Sequence, residues 1–288
     1  MPDENMRLFF IGALLSLPSF AGLDAIYGKD NRQDYFAVTN PLFRTLAKST
    51  AAMIDKTNIK SFEEESLISA IPLGQMYHLC PEERFRQQPT AANCSGTLVA
   101  SDIIMTAGHC YDLIKKTCKD YVWVFDYQAE KESQSSVKVR TQNIYECEDV
   151  ILKEMDLDRG IDHTLVKLKR PVTDRNAAKF RQNEDLKIGI PLVLIGYPSG
   201  LPVKIADDAQ ILKLMGNSFI TNVDAFSVNS GSGVFNAITG EIEGILSSGR
   251  ADYDGKGNCS GVKVYAMNEG NETVVIPQKV KDFLKSRP

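Results

Sequence analysis

The chain has 288 residues, 43% of them hydrophobic and 24% charged, which is enough apolar mass for one sizeable core or two smaller ones. A formal net charge of −4 and a pI near 5.5, with no basic run, leave no electrostatic case for nucleic acid or for an anionic membrane surface. The charged residues are scattered as on an ordinary solvated surface, and no repeat or low-complexity linker interrupts the chain.

The first predicted element is the apolar run 8–17, too short to span a bilayer. Pro18-Ser19-Phe20-Ala21 follows, with small residues where a signal peptidase reads, so 1–21 is an expected export signal cleaved after Ala21. Met6-Arg7 ahead of the run is a more usual start than Pro2-Asp3-Glu4-Asn5, and translation is expected to begin at Met6. The mature protein is then secreted or periplasmic, with no membrane span, and a monomer is its expected state. In an exported chain the six cysteines, Cys80, Cys94, Cys110, Cys118, Cys147 and Cys259, imply disulfides. No Cys-x-x-Cys pair occurs and the histidines are few and scattered, so no metal and no cofactor is expected.

Further along, 40–54 has helical spacing through Leu42, Leu46 and Met53. From Cys94 onward the pattern changes to short apolar or alternating runs split by turns: 96–99, 103–106, 121–125, 137–139 and 163–168. Arg170-Pro171 opens the passage to a second half, where 191–196, 209–214, 218–222, 233–235, 242–247 and 262–266 continue the series. Such closely spaced strands predict an all-β sandwich or barrel. The end of the chain places Val280, Phe283 and Leu284 on one helical face after Pro277.

Three stretches carry chemistry: Thr106-Ala107-Gly108-His109-Cys110, Asp162-His163-Thr164-Leu165-Val166-Lys167-Leu168 and Asn229-Ser230-Gly231-Ser232-Gly233-Val234-Phe235. They supply an imidazole, a carboxylate and a hydroxyl, the set that peptide-bond hydrolysis uses as base, orienting group and nucleophile. His109 closes an apolar run beside a cysteine, whereas His78 and His163 read as structural or solvent-facing. Asp156 and Asp158 compete with Asp162, but only Asp162 leads directly into an alternating strand-like segment. Gly196-Tyr197-Pro198-Ser199-Gly200 has the wrong spacing for a nucleophile elbow and reads as a β-turn. Asp252-Tyr253-Asp254-Gly255-Lys256-Gly257-Asn258 lacks calcium ligands at Lys256 and Lys263 and reads as a hairpin tip.

These motifs, in the order His, Asp, Ser, resemble the chymotrypsin-like serine peptidases, and in particular their bacterial trypsin-like and glutamyl-endopeptidase-like members. Ile26-Tyr27-Gly28-Lys29-Asp30-Asn31-Arg32 resembles the segment that opens the mature chain in the latter. The resemblance implies an all-β fold of two antiparallel β-barrels with a C-terminal helix. An N-terminal extension and the first barrel would fill 22–170, and the second barrel and the helix 171–288. It implies a serine endopeptidase acting on protein or peptide substrates, with His109, Asp162 and Ser230 as its triad and the N–H groups of Val228 and Ser230 as its oxyanion hole. Asp224, six residues before Ser230, would sit at the pocket floor and favour a basic residue at P1, the position before the scissile bond. Ser247 would hydrogen-bond Asp162, and Ser248-Gly249 would present the edge that binds substrate backbone. Cys94 would bond to Cys110. The other four cysteines leave three pairings, of which Cys118 with Cys147 and Cys80 with Cys259 is preferred.

Two positions depart from the pattern. Val228 stands where relatives have glycine, and its β-branched side chain resists unusual backbone geometry. It supports a second reading, a catalytically degenerate fold that binds peptides or partner proteins. Asn229 stands where trypsin-type enzymes have aspartate, so activation by pairing with a freed N-terminal ammonium is not expected.

Overall fold

In the computed structural model, residues 25–111, 117–182 and 185–286 are described. The expected signal at 1–21 and the Met6 start lie outside them.

The chain begins with two short strands, β1 (Ile26–Tyr27) and β2 (Gln33–Asp34), then helix α1 (Pro41–Lys48) and strands β3 (Thr50–Asp55), β4 (Ile59–Ser61) and β5 (Glu65–Ser69). A single turn of helix, α2 (Leu73–Met76), precedes β6 (Ala92–Ala100), β7 (Ile103–Thr106), β8 (Tyr121–Phe125), β9 (Ser136–Arg140), β10 (Ile144–Asp156) and β11 (Ile161–Leu168). The second half holds β12 (Pro191–Gly196), β13 (Lys204–Met215), β14 (Ser218–Thr221), β15 (Gly233–Asn236) and β16 (Ile242–Ser248). It ends with β17 (Tyr253–Lys256), β18 (Cys259–Val262), β19 (Val264–Tyr265), β20 (Glu272–Val275) and α3 (Gln278–Lys285).

Strands β3, β6, β7, β11, β10 and β8 close a six-stranded antiparallel barrel. A second antiparallel ring runs β12, β15, β16, β20, β14, β13 and back to β12, with β2 added at the edge of β13. The fold is therefore the expected pair of barrels with a C-terminal helix. Alternation explains how the pair packs. On β12, Leu192 and Leu194 point into the second barrel, while Val193 and Ile195 join the large core that the first barrel, α1 and the seam share. Strands buried on both faces read as continuous apolar runs, as Tyr121-Val122-Trp123-Val124-Phe125 of β8 does.

The helical spacing at 40–54 covers two elements. Asn40 caps α1 by accepting the Leu42 N–H at 2.9 Å, Pro41 suits the first helical position, and Ser49 ends the helix. Residues from Thr50 then pair with β6 on one side and β8 on the other, and Ala51, Ala52, Met53 and Ile54 are fully buried there, so barrel packing overrides the local helical spacing. The 137–139 segment forms β9, which joins β4 and β5 in a separate three-stranded sheet outside the barrel. Val280 of α3 is fully buried. Among the described residues no helix is long and apolar enough to cross a membrane.

Candidate active site

His109 lies in a 3-10 turn, Gly108–Tyr111, that follows β7, and a disulfide ties Cys110 to Cys94 on β6. A β-carbon at Gly108 would meet the Glu154 carbonyl at 2.6 Å and Asp162 Oδ1 at 3.0 Å, so a glycine lets this turn close onto β11. Three donors then converge on the fully buried Asp162. His109 Nδ1 lies 2.7 Å from Oδ2, the His109 backbone N–H donates to Oδ1 at 2.9 Å, and Ser247 Oγ donates to Oδ2 at 2.5 Å. Burial by itself would raise the Asp162 carboxyl, but the hydrogen bond and charge of His109, with the Ser247 hydroxyl, hold it below the ordinary aspartate value. A carboxylate there fixes the proton on Nδ1 and leaves Nε2 with its lone pair. His163, next along β11, is buried, and burial pushes its imidazole below the usual value. Its Nε2 lies 3.8 Å from Glu154 Oε2, away from this cluster.

Ser230 comes from the second barrel, on a loop held at nearly every residue. Ala225 N–H donates to the Ala25 carbonyl at 3.1 Å, and Ser227 N–H reaches both Asp252 carboxylate oxygens at 3.2 and 3.1 Å. The Ser227 carbonyl takes the Ser199 N–H at 2.6 Å, and the Val228 carbonyl takes Ser95 Oγ at 3.2 Å. Asn229 N–H donates to Phe226, and Asn229 in turn accepts both the N–H and the hydroxyl of Ser232. Ser95 N–H then donates to the Ser230 carbonyl at 2.9 Å, and Gly231 N–H to Leu246 on β16. A β-carbon at Gly231 would come within 2.2 Å of both the Ser95 carbonyl and Thr106 Oγ1, so the loop lies directly against the strands that carry His109.

Val228 sits at φ 75°, the left-handed region that a glycine enters freely and a β-branched residue rarely does. In a trans peptide the N–H points opposite the preceding carbonyl, and that carbonyl is fixed by Ser199. The Val228 N–H is thereby aimed away from Ser199. Among the described residues neither it nor the Ser230 N–H meets a hydrogen-bond acceptor.

The Asp224 carboxylate is buried and held by the chain's own amides: Oδ1 accepts the Tyr27 N–H at 2.8 Å and Oδ2 the Asn31 N–H at 3.0 Å, and the residue is 1% exposed. Burial pushes it up to about 7, against the opposing effect of those two amides. Ser248, at the exposed end of β16, pairs with Thr273 of β20, and Gly249 follows it. The structure joins Cys94 to Cys110, Cys118 to Cys147 and Cys80 to Cys259. The 252–258 stretch forms the β17–β18 hairpin, and Pro198–Gly200 forms a 3-10 turn.

Ser95 and Tyr27 carry no role legible in the sequence, although both touch the Ser230 loop or its stem. For Ser95 a signal exists, its place beside Cys94 on the strand that faces the histidine turn. For Tyr27 the only signal is its place in the 26–32 segment.

Two closed barrels, with an aspartate-bound histidine on one and a half-buried serine on a tightly held loop of the other, define the two-barrel peptidase class. Residues 94–245 match the trypsin-like peptidase domain, and the chain belongs to that family. Among solved structures, a Glu endopeptidase in complex with MPD superposes with a TM-score of 0.54 at 16% identity, over 91% of this chain and 98% of that one. The Vibrio cholerae VesB protease superposes with a TM-score of 0.53 at 11% identity, over 88% of this chain and 66% of that one. No curated protein matches the chain in sequence.

Proposed function

We propose that the protein is a serine endopeptidase that works outside the cytoplasm, secreted or periplasmic, where its three disulfides would form. The observation that carries the chemistry is the convergence of His109 Nδ1, His109 N–H and Ser247 Oγ on a buried, ionised Asp162. His109 Nε2 takes the proton of Ser230 Oγ as that oxygen attacks the scissile carbonyl, and later returns it to the leaving amine. Asp162 orients the ring and stabilises the imidazolium. The N–H groups of Val228 and Ser230 receive the developing oxyanion, a contribution for which each donor supplies about 10²–10³ in rate. Substrate backbone pairs with the edge at Ser248-Gly249. The preference for arginine or lysine at P1 that Asp224 suggested is not part of this reading, since the Asp224 carboxylate is occupied by the chain's own amides.

The test is reaction with a peptidyl phosphonate together with cleavage of a mixed peptide library. The wild type is expected to gain one adduct at Ser230 and to cut. Ser230→Ala should do neither, His109→Ala should lose on the order of 10⁶ in kcat, and Asp162→Asn about 10⁴. The degenerate-fold reading draws on Val228 and predicts peptide binding with no adduct in any variant.

A further inference from the structure

A second concavity lies away from Ser230. The serine loop enters β15 at Gly233, and the strand leaves at its other end, after Asn236, through the turn to β16. Residues 239–241 of that turn, helix α1 and the crossing between the barrels at 174–179 wall a cleft of about 670 Å³, a volume suited to a small organic ligand. Leu42 and Leu46 of α1, with Ala177 and Ala178 of the crossing, give the cleft an apolar side.

Five cations line this cleft against three carboxylates, in a chain whose net charge is −4. Two of the carboxylates are already taken. Asp126 accepts Lys48 Nζ at 2.9 Å and both terminal nitrogens of Arg175 at 3.2 Å. Asp174 accepts Arg175 Nε at 3.0 Å and Arg140 Nη2 at 3.4 Å. The third, Glu241, accepts the Thr239 hydroxyl at 3.3 Å. Arg44 is held without any carboxylate. Its Nη1 donates to the Tyr35 and Val38 carbonyls at 3.0 and 3.2 Å, and its guanidinium stacks over the Tyr35 ring at 4.2 Å. These neutral partners fix the group and leave its charge uncompensated. Among the described residues, Arg44 Nε, Arg44 Nη2 and the Lys179 ammonium meet no acceptor.

We propose that this cleft is a second binding site, for a small organic anion that carries one carboxylate on an apolar body. The Nε–Nη2 edge of Arg44 is a planar fork that matches the two oxygens of a carboxylate, and Lys179 adds a point charge. The apolar side takes the body of the ligand out of water, which separates this class from inorganic phosphate or sulfate. Two sources share the chemistry, a fatty acid and the free C-terminus of a short apolar peptide. A ligand here touches α1, the crossing and the second barrel at once, and leaves Ser230 open at the far end of β15. The inference therefore stands apart from the peptidase reading.

Isothermal titration calorimetry of the protein with octanoate, with N-acetyl-leucyl-leucine and with the amide of each tests this. One saturable site is expected for at least one of the two acids, and which of them binds names the source. The matching amide, which lacks the charge, should bind at least about tenfold more weakly. Arg44→Gln should weaken the acid by about tenfold or more, and Lys179→Gln severalfold. Lys138→Gln, an exposed cation on β9 outside the cleft, should leave the affinity unchanged. Arg44 also ties the carbonyls of residues 35 and 38, so if its variant does not fold, the exposed Lys179 decides the matter. No saturable binding of either acid overturns the inference. So do amides that bind as tightly as the acids, and an affinity that neither cleft variant moves.

Discussion

Val228 concentrates the conflict between local preference and function at a single residue. A valine at φ 75° carries strain of about 1–3 kcal/mol, and such strain persists only where the surroundings over-determine it. Here they do, through Ser95 Oγ on its carbonyl and Ser199 on the carbonyl before it. Val228→Gly should remove the strain and return part of the gain as backbone entropy in the unfolded chain, a net stabilisation of about 1 kcal/mol. Thermal denaturation should show a rise of about 2–4 °C, with Ser230 labelled by phosphonate no more slowly than in the wild type. A fall in Tm would mean that the half-buried valine side chain gives more by packing on the core than its backbone costs. At this scale the sequence was legible where the chemistry is local. His109 and Ser230 sit in motifs that announce themselves, and Asp162 was separable from Asp156 and Asp158 by the strand it opens. Asp224 was not legible, because its partners Tyr27 and Asn31 lie almost 200 positions away and nothing near Asp224 encodes them.

Among elements, the segment from β1 to β2 acts as a clamp on the stem of the serine loop. The Arg32 guanidinium, paired to Asp30, stacks on Phe226 at 3.8 Å, and Asp34 of β2 pairs with the buried Lys204 of β13 at 2.7 Å. Asp224 joins this clamp from the loop side. Its folded value of about 7 lies above the ordinary 3.8, so the folded state favours its protonated form. That contribution is full below pH 3.8 and is lost as pH rises through 7. Asp224→Asn removes the titration. Urea unfolding at pH 5 and pH 8 should therefore show the wild type losing about 2–3 kcal/mol relative to the variant over that interval. Parallel pH curves for the two proteins would mean that the carboxylate stays charged throughout and that its two amide donors outweigh burial. Strand boundaries were readable from sequence where alternation is clean, as at β12, where 191–196 coincides with the observed strand. They were not readable where an element is half solvated. β10 interleaves acidic and apolar residues with bulges against β11, and it escaped detection for that reason. The end of the 40–54 pattern failed differently, since Met53 fits a helix in sequence and is claimed by barrel closure in space.

Across the whole molecule, the site exists only if the two barrels keep one relative position, because His109 and Asp162 belong to the first and Ser230 and Ser247 to the second. Short polar links hold the seam beside the site: Ser95 N–H on the Ser230 carbonyl, Ser247 on Asp162, and Tyr197 OH on the Thr50 carbonyl at 3.1 Å. The Cys80–Cys259 disulfide makes a covalent link between the loop after α2 and the β17–β18 hairpin, across a sequence separation of 179. Closing so long a loop constrains the unfolded chain strongly, and removing the bond by Cys80→Ser with Cys259→Ser should cost about 2–5 kcal/mol. The expected fall in Tm is roughly 5–15 °C. The bond does not touch His109, Asp162 or Ser230, so below the lowered transition the variant should label at Ser230 at the wild-type rate. Loss of labelling in a still-folded variant would show that the hairpin, whose neighbour Asp252 holds Ser227 N–H, passes its position on to the serine loop. In that case the disulfide sets the geometry of the site, and the covalent frame cannot be separated from the catalytic one.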